Sequence, residues 1–410
     1  MDDLIQVKME KWVFGGDCLG RLPDGRAVFV PFVLPGEVVE IELTEDKKRF
    51  ARGWPLEIIE ASPERITPRC RHYGLCGGCQ YQHISYAKQL SLKEDLLKDQ
   101  LLRIGKIEKP PIQPIVPAPD PWHYRNHVQF HLGKEGELGY VHVDGEHLLV
   151  IEECHLPQAG INQVWPQLDL GAGSGVYRLG IRQDSFDDLM LILEGESPDA
   201  PAFSEDIPVS AVYTPPDARL TVLAGDDHLV FTIQNRQFQV SARSFFQVNT
   251  PMAEEMVGFL MDHLTLTEGM TVLELFAGVG LFSAFLAPRV GEWIAVESSG
   301  SACHDFAVNL DAFDNVTLYE SEAEQVLPTL DIQPDVILLD PPRAGLSNEV
   351  IDATARLNPA RIAYISCDPA TLARDLRKLI DNGYQLLSVT PFDLFPQTAQ
   401  FEIICFLTYS

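Results

Sequence analysis

The chain has 410 residues, 46% of them hydrophobic, and carries 31 Lys+Arg against 59 Asp+Glu for a net charge of −28 at pH 7. That length allows two or three domains with a substantial core, and no apolar run approaches the ~18 residues a membrane span requires. So negative a molecule argues against binding a polyanion over its whole surface.

The charge is uneven: residues 1–110 hold 17 Lys+Arg and 17 Asp+Glu, and the remainder holds 14 and 42. A polyanion is therefore expected at the N-terminal third. The opening MDDLIQVKMEKW is acidic and lacks an apolar leader, which predicts a cytoplasmic location. In that compartment the eight cysteines read as ligands or nucleophiles rather than disulfides.

Residues 4–60 alternate short β-like runs with the turn signals Gly15-Gly16-Asp17 and Pro23-Asp24-Gly25, which predicts a small barrel. Within it, Lys47, Lys48, Arg49 and Arg52 surround Phe50, offering charge and an aromatic platform for RNA or simply a solvated hairpin tip. Next come Cys70, Cys76 and Cys79, the last two separated only by Gly77 and Gly78, a loop able to wrap sulfurs around one metal centre. Cys154 is the best distant candidate for a fourth ligand, and four thiolates suit either an iron–sulfur cluster or zinc.

The spacing of Leu90, Leu97, Leu101 and Ile104 predicts a helix over Tyr86–Ile104, and Pro110–Pro121 reads as a linker. Tyr124-Arg125-Asn126-His127 opens a strand at Val128–Leu132, and hairpin-like segments continue to about Val240. Asp184–Asp188 and Glu194–Asp206 are acidic loops to which the sequence assigns no role.

At Ser241 the pattern changes. Ser244-Phe245-Phe246-Gln247-Val248-Asn249 precedes a helix at Met252–Leu264, and a strand at Thr271–Leu275 runs into Phe276-Ala277-Gly278-Val279-Gly280 and a helix at Leu281–Leu286. The next strand ends at Glu297, where a carboxylate accepts from ribose hydroxyls, so the unit reads as an adenosine-cofactor site. Ser283 stands where a dinucleotide fold expects Gly or Ala, whereas phosphate-free S-adenosylmethionine makes no such demand.

Two further strands, Val336–Leu339 and Ile362–Ser366, deliver Asp340-Pro341-Pro342-Arg343 and Cys367-Asp368-Pro369 at their C-terminal ends, and hence to one crevice. Asp368 and Pro369 predict the start of a helix just beyond Cys367, a candidate nucleophile. The helix dipole, worth ~0.3–1 kcal/mol, leaves most of its sulfur protonated at neutral pH. The Asp-Pro-Pro tetrad resembles that of methyltransferases acting on planar bases, with Arg343 where amino-group methylases place a stacking aromatic. A ring carbon suits it better as target.

Together these motifs resemble the S-adenosylmethionine-dependent RNA 5-methyluridine methyltransferases, along nearly the whole chain. The resemblance implies an α/β protein in three parts. These are a TRAM-like, OB-like β-barrel at 1–60, an iron–sulfur and β-rich central domain at 61–240, and a Rossmann-like methyltransferase domain at 241–410. It further implies a [4Fe–4S] cluster on Cys70, Cys76, Cys79 and Cys154, with Gln247, Phe276, Gly278, Gly280, Glu297 and Asp340 toward the cofactor and Cys367 as nucleophile.

The family's general base is the glutamate of a His-Thr-x-His-Val-Glu pattern, here Gln397-Thr398-Ala399-Gln400-Phe401-Glu402, so Glu402 survives while both histidines become glutamine. Leu281 stands where members often carry a polar cofactor contact, and Phe245, Phe246 and Tyr124 are candidate platforms for a flipped base. The implied partner is RNA, 23S rRNA rather than tRNA, bound by a monomer without a membrane. The competing readings are a tRNA uridine methyltransferase, a non-catalytic iron–sulfur RNA-binding protein, and a nicotinamide oxidoreductase.

Overall fold

The computed structural model describes residues 4–201, 208–215 and 220–409. Strands β1 (Ile5–Trp12), β2 (Asp17–Arg21), β3 (Ala27–Pro31), β4 (Val38–Asp46) and β5 (Phe50–Glu60) close into a barrel ordered β1-β2-β3-β5-β4. Alternation drives the closure: Val7, Met9, Val28, Val30, Val39, Ile41 and Ala51 are buried inside it. Lys47, Lys48 and Arg49 form the exposed tip between β4 and β5.

Helix α1 (Tyr86–Arg103) is capped by the Ser85 hydroxyl, which accepts from Lys88 N–H at 3.3 Å. Its buried face differs from the expected leucine stripe. Gln89, Leu92, Lys93, Leu96, Leu97, Gln100 and Leu101 face inward, while Leu90 is half-buried and Ile104 is exposed. The helix is rotated because Gln89 and Lys93 find hydrogen-bond partners in the C-terminal part of the chain.

Residues 110–121 are not a loose linker. Ile112 and Val116 form parallel bridges to Val389 and Phe392, and Gln113 and Val116 N–H groups donate to Val389 and Pro391. Proline is tolerated there because the segment lies along a sheet edge.

The central sheet runs β12-β11-β10-β9-β6-β7-β8. Its strands are β6 (His127–Leu132), β7 (Leu138–Val141), β8 (Leu148–Val150), β9 (Val176–Gln183), β10 (Leu189–Gly195), β11 (Ser210–Thr214) and β12 (Thr221–Ala224), with the short helix α2 (Ala159–Val164) packed beside it. Asp184 shapes the β9–β10 turn, accepting from Phe186, Asp188 and Val230 N–H groups. The acidic stretch Glu194–Asp206 begins inside β10, and its residues 202–206 lie outside the described residues. A hairpin, β13 (His228–Ile233) and β14 (Arg236–Ser241), leads to α3 (Thr250–His263), capped by Asn249.

The last sheet is ordered β17-β16-β15-β18-β19-β21-β20. It comprises β15 (Thr271–Leu275), β16 (Glu292–Glu297), β17 (Val316–Glu320), β18 (Val336–Leu339), β19 (Arg361–Ser366), β20 (Tyr384–Phe392) and β21 (Glu402–Tyr409). Between them lie α4 (Ser283–Leu286), α5 (Gly300–Asn309), α6 (Ala323–Val326), α7 (Asn348–Leu357) and α8 (Pro369–Asp381). The helix expected at Leu281–Leu286 shortens to α4 and continues as a 3₁₀ turn, Ala287–Arg289, around Pro288.

The first five strands of this sheet are parallel, and β16, β15, β18 and β19, covered on both faces, read as continuous apolar runs, whereas the edge strand β17 is largely exposed. Leu97 and Leu101 of α1 join the core on the α7–α8 face. Among the described residues, no helix is long and apolar enough to cross a membrane.

Candidate active site

The carboxyl ends of β15, β16, β18 and β19 present Phe276, Glu297, Asp340 and Cys367 along one edge. Phe276 holds a left-handed φ of 64°, a conformation costly for a residue with a side chain, fixed by its N–H donating to Val296 O at 2.9 Å. Gly278 donates to Glu297 Oε2 at 2.8 Å, and a Cβ added there would meet only open space. Gly280 is a glycine for another reason: a Cβ would stand 2.3 Å from Leu310 Cδ1. The other Glu297 oxygen accepts from Ser298 and Ser299 N–H at 2.9 and 2.8 Å.

The Ser244–Asn249 segment lies against the start of α5, through Ser244 Oγ and Ser301 Oγ at 2.8 Å. Gln247 is buried, its carbonyl accepts from Asn126 Nδ2 at 2.9 Å, and its side-chain Oε1 has no partner. A buried amide oxygen left open is a vacant acceptor for a ligand. Phe246 packs in the core against Phe231, and Tyr124 is buried with its hydroxyl donating to Pro396 O, so neither can stack on a base. Phe245 is 70% exposed and remains available. Leu281 is buried in the core.

Ser283 turns away from the crevice. Its hydroxyl donates to Glu274, which also accepts from Trp293 Nε1 at 3.0 Å. Burial pushes Glu274 up to about 8, and the nearby carboxylates Asp340 and Glu297 add to the rise. Nothing in the local sequence signals this buried acid, because it occupies the middle of an apolar strand.

Cys367 follows β19, and Asp368 caps α8 as expected, its Oδ1 accepting from Ala370 and Thr371 N–H at 2.9 and 2.8 Å. The Arg343 loop is fastened to the same helix: Thr371 Oγ1 donates to Arg343 O, and Arg374 donates to Ala344 O at 2.9 Å. β21 runs antiparallel to β19 with Ser366 opposite Ile403, so Glu402 begins β21 beside Cys367. Glu402 is only 6% exposed, so its carboxyl faces inward.

These groups feel one another. Burial, then the Glu402 charge, pushes the Cys367 thiol up to about 12, with Arg343 opposing and Asp340 adding. Burial and Asp340 hold Glu402 well above the usual carboxyl range, again against Arg343. Burial and Glu297 raise Asp340 to about 7. A thiol, two reluctant carboxyls and a guanidinium in one crevice are the parts of a nucleophile and general-base site.

The cysteine segment sits apart from this crevice. Arg71 N–H donates to Glu153 at 2.8 Å and Glu152 N–H to His72 Nε2 at 3.0 Å, which draws the Cys154 segment beside Cys70, Cys76 and Cys79. All four are free thiols. Burial raises each, and mutual repulsion adds: Cys79 feels Cys154, Cys76 and Cys70, and Cys154, pushed up to about 11, feels Cys76 and Cys70. Among the described residues no three His, Cys, Asp or Glu side chains group closely enough for a single metal ion.

Residues 225–410 match the sequence family described as tRNA (Uracil-5-)-methyltransferase, and residues 4–56 match the TRAM domain. The chain is 35% identical to a Thermosynechococcus vestitus protein described as an uncharacterized RNA methyltransferase, over 99% of this chain and 98% of the relative. A Halalkalibacterium halodurans protein of the same description is 32% identical over 99% and 97%. Among solved structures, the tRNA (uracil-54, C5)-methyltransferase of Pyrococcus abyssi, in complex with S-adenosyl-L-homocysteine, shares the fold. Its TM-score is 0.76 at 23% identity, over 98% of this chain and 99% of that one. A TRAM barrel in front, and a relationship spanning the full length, place this chain in the RNA uracil-5 methyltransferase family.

Proposed function

We propose that the protein transfers a methyl group from S-adenosylmethionine to carbon 5 of a uridine in 23S rRNA, through a covalent bond between Cys367 and the uracil. The observation that carries this reading is the opposition of Cys367 and Glu402 beside Asp340 and the Phe276–Gly280 loop. The cofactor fits the residues present: Gln247 Oε1 lacks a partner, Gly278 opens on free space, and Glu297 and Asp340 suit ribose hydroxyls and a cationic sulfonium. Bound there, it supplies an electrophilic methyl group.

Cys367 loses its proton to solvent and adds to carbon 6, and the carbon 5–carbon 6 π pair moves toward oxygen 4 as an enolate. Arg343 balances the negative charge of thiolate and enolate. Carbon 5 then takes the methyl, Glu402 removes the proton from carbon 5, and that bonding pair restores the double bond while Cys367 leaves as thiolate. The target base must leave its stack, at a few kcal/mol, and exposed Phe245 offers it a face.

We assign Cys70, Cys76, Cys79 and Cys154 to a [4Fe–4S] cluster, on the family resemblance and the hydrogen bonds that draw the Cys154 segment beside the other three free thiols. Anaerobically purified protein should carry about four iron and four sulfide per chain, lost in Cys154→Ala; stoichiometric zinc without iron overturns the assignment. RNA labelled with tritium at uridine carbon 5 should release tritium only when S-adenosylmethionine is present, and no release refutes the reaction. The tRNA reading draws on the substrate named for the Pyrococcus abyssi structure. Mass-spectrometric mapping of 5-methyluridine in 23S rRNA and tRNA from a deletion strain separates the two.

A further inference from the structure

Glu402 is delivered by the connection between β20 and β21, residues 393–401; Val116, Tyr124 and Asn249 each make one hydrogen bond to it, at Asp393, Pro396 and Leu394, and residues 80–93 supply a larger set. Lys93 and Asp393 are both fully buried and pair at 2.5 Å. The same ammonium donates to Phe395 O at 3.1 Å and Gln400 O at 2.9 Å, so all three of its protons are used on this connection. One turn earlier on α1, Gln89 and Gln397 exchange two hydrogen bonds at 2.9 Å: Gln89 Nε2 to Gln397 Oε1, and Gln397 N–H to Gln89 Oε1. Gln80 and Tyr81 N–H groups both donate to Gln397 O at 3.0 Å, and Ala399 N–H donates to Gln80 Oε1 at 3.1 Å.

These bonds hold a backbone that does not rest there by itself. Gln397 has a left-handed φ of 69°, unfavourable for a residue with a Cβ. Its conformation turns the chain so that Gln400 presents its carbonyl to Lys93 and Glu402 enters β21 with its carboxyl buried near Cys367. Of the two bonds with Gln89, one uses the Gln397 backbone N–H and the other its side-chain oxygen, so Gln89 holds both the backbone and the side chain of residue 397.

We propose that Gln89 and Lys93 are positioning residues for Glu402, setting through residues 393–401 the place from which it takes the carbon 5 proton. The proposal rests on the reading of Glu402 as the base. Addition by Cys367 and methyl transfer do not need Glu402, and only the last step does. A displaced base therefore stalls the reaction late, leaving RNA bonded to the protein, which general destabilisation does not do.

The test uses full-length protein, substrate RNA and S-adenosylmethionine, with Glu402→Gln run alongside. Gln89→Met keeps the bulk and loses both amide bonds. Lys93→Met with Asp393→Leu removes both buried charges together, which buried pairs tolerate far better than loss of one partner. Each variant should turn over about 10- to 100-fold more slowly, the scale of a misplaced catalytic group, with the KM for S-adenosylmethionine unchanged and with a denaturation-resistant RNA adduct accumulating. Rates are normalised to the folded fraction from thermal melts.

Normal turnover, or slowing with no adduct while Glu402→Gln does trap one, overturns the positioning role alone. Absence of an adduct in Glu402→Gln itself removes the base assignment on which the proposal stands.

Discussion

Cys367 lies one residue beyond Ser366 on β19 and Glu402 one residue before Ile403 on β21, and Ser366 and Ile403 are paired. Just past the last pair of that antiparallel ladder the two strands bring a thiol and a carboxyl, about 35 residues apart in sequence, within electrostatic reach. Burial and the Glu402 charge hold the thiol protonated, while burial and Asp340 hold the carboxyl well above its usual range.

The first prediction concerns the restraint that Glu402 places on the thiol. Alkylation of Cys367 by iodoacetamide, followed on its own peptide by mass spectrometry, should be slow at pH 7 and rise without a plateau to above pH 10, because the thiol sits at about 12. Glu402→Gln removes a charge that raises the thiol, so its profile should move to lower pH. Arg343→Met removes the charge that lowers it, so that profile should move higher. Identical profiles in all three proteins contradict the electrostatics.

Asp340 supplies the second. Burial, then Glu297, raises it to about 7, so near neutrality about half of it carries a proton in the cofactor-free enzyme. A sulfonium cation favours the carboxylate, lowers its pKa and drives the proton off. Calorimetric titration of S-adenosylmethionine in buffers of different ionisation enthalpy should show release of up to about half a proton at pH 7, abolished in Asp340→Asn. The sign for stability follows from the same shift. A carboxyl raised on folding stabilises the fold below its unfolded value and loses that contribution as pH rises through about 7, so Asp340→Asn should flatten the decline in stability between pH 4 and 7.

The third addresses RNA. Of the barrel cations, Lys47 is paired with Glu45 at 3.2 Å and Arg52 with Asp17 at 2.9 Å. Lys48 and Arg49, exposed at the hairpin tip, make no ion pair among the described residues. Reversing Lys48 and Arg49 should weaken RNA binding and reduce the salt slope by about one unit per lost phosphate contact, more than reversing the two paired cations. Unchanged affinity and slope put the footprint elsewhere.

The parallel sheet was legible because buried strands are continuous apolar runs and the groups that do chemistry sit at their ends. Asp368 and Pro369 announced α8 by local capping chemistry alone. The inward face of α1 was not legible: a helix bearing Gln89 and Lys93 reads as amphipathic through its leucines, and the partners that bury those polar groups lie about 300 residues away. The segment 110–121 was misread for a related reason, since proline marks a loop locally while its pairing with β20 is set by tertiary contact. Among three candidate aromatics only Phe245 reaches solvent, a distinction adjacent residues of one motif do not encode.

The central claim is that Cys367 bonds to the uracil and Glu402 releases it. Incubating wild-type protein, Cys367→Ala and Glu402→Gln with substrate RNA and S-adenosylmethionine, then separating them on a denaturing gel, tests both halves together. The account predicts no adduct and no methylation in Cys367→Ala. In Glu402→Gln it predicts a slow, denaturation-resistant protein–RNA band whose uracil already carries the new methyl group. Methylation by Cys367→Ala, or normal turnover by Glu402→Gln with no trapped band, contradicts it.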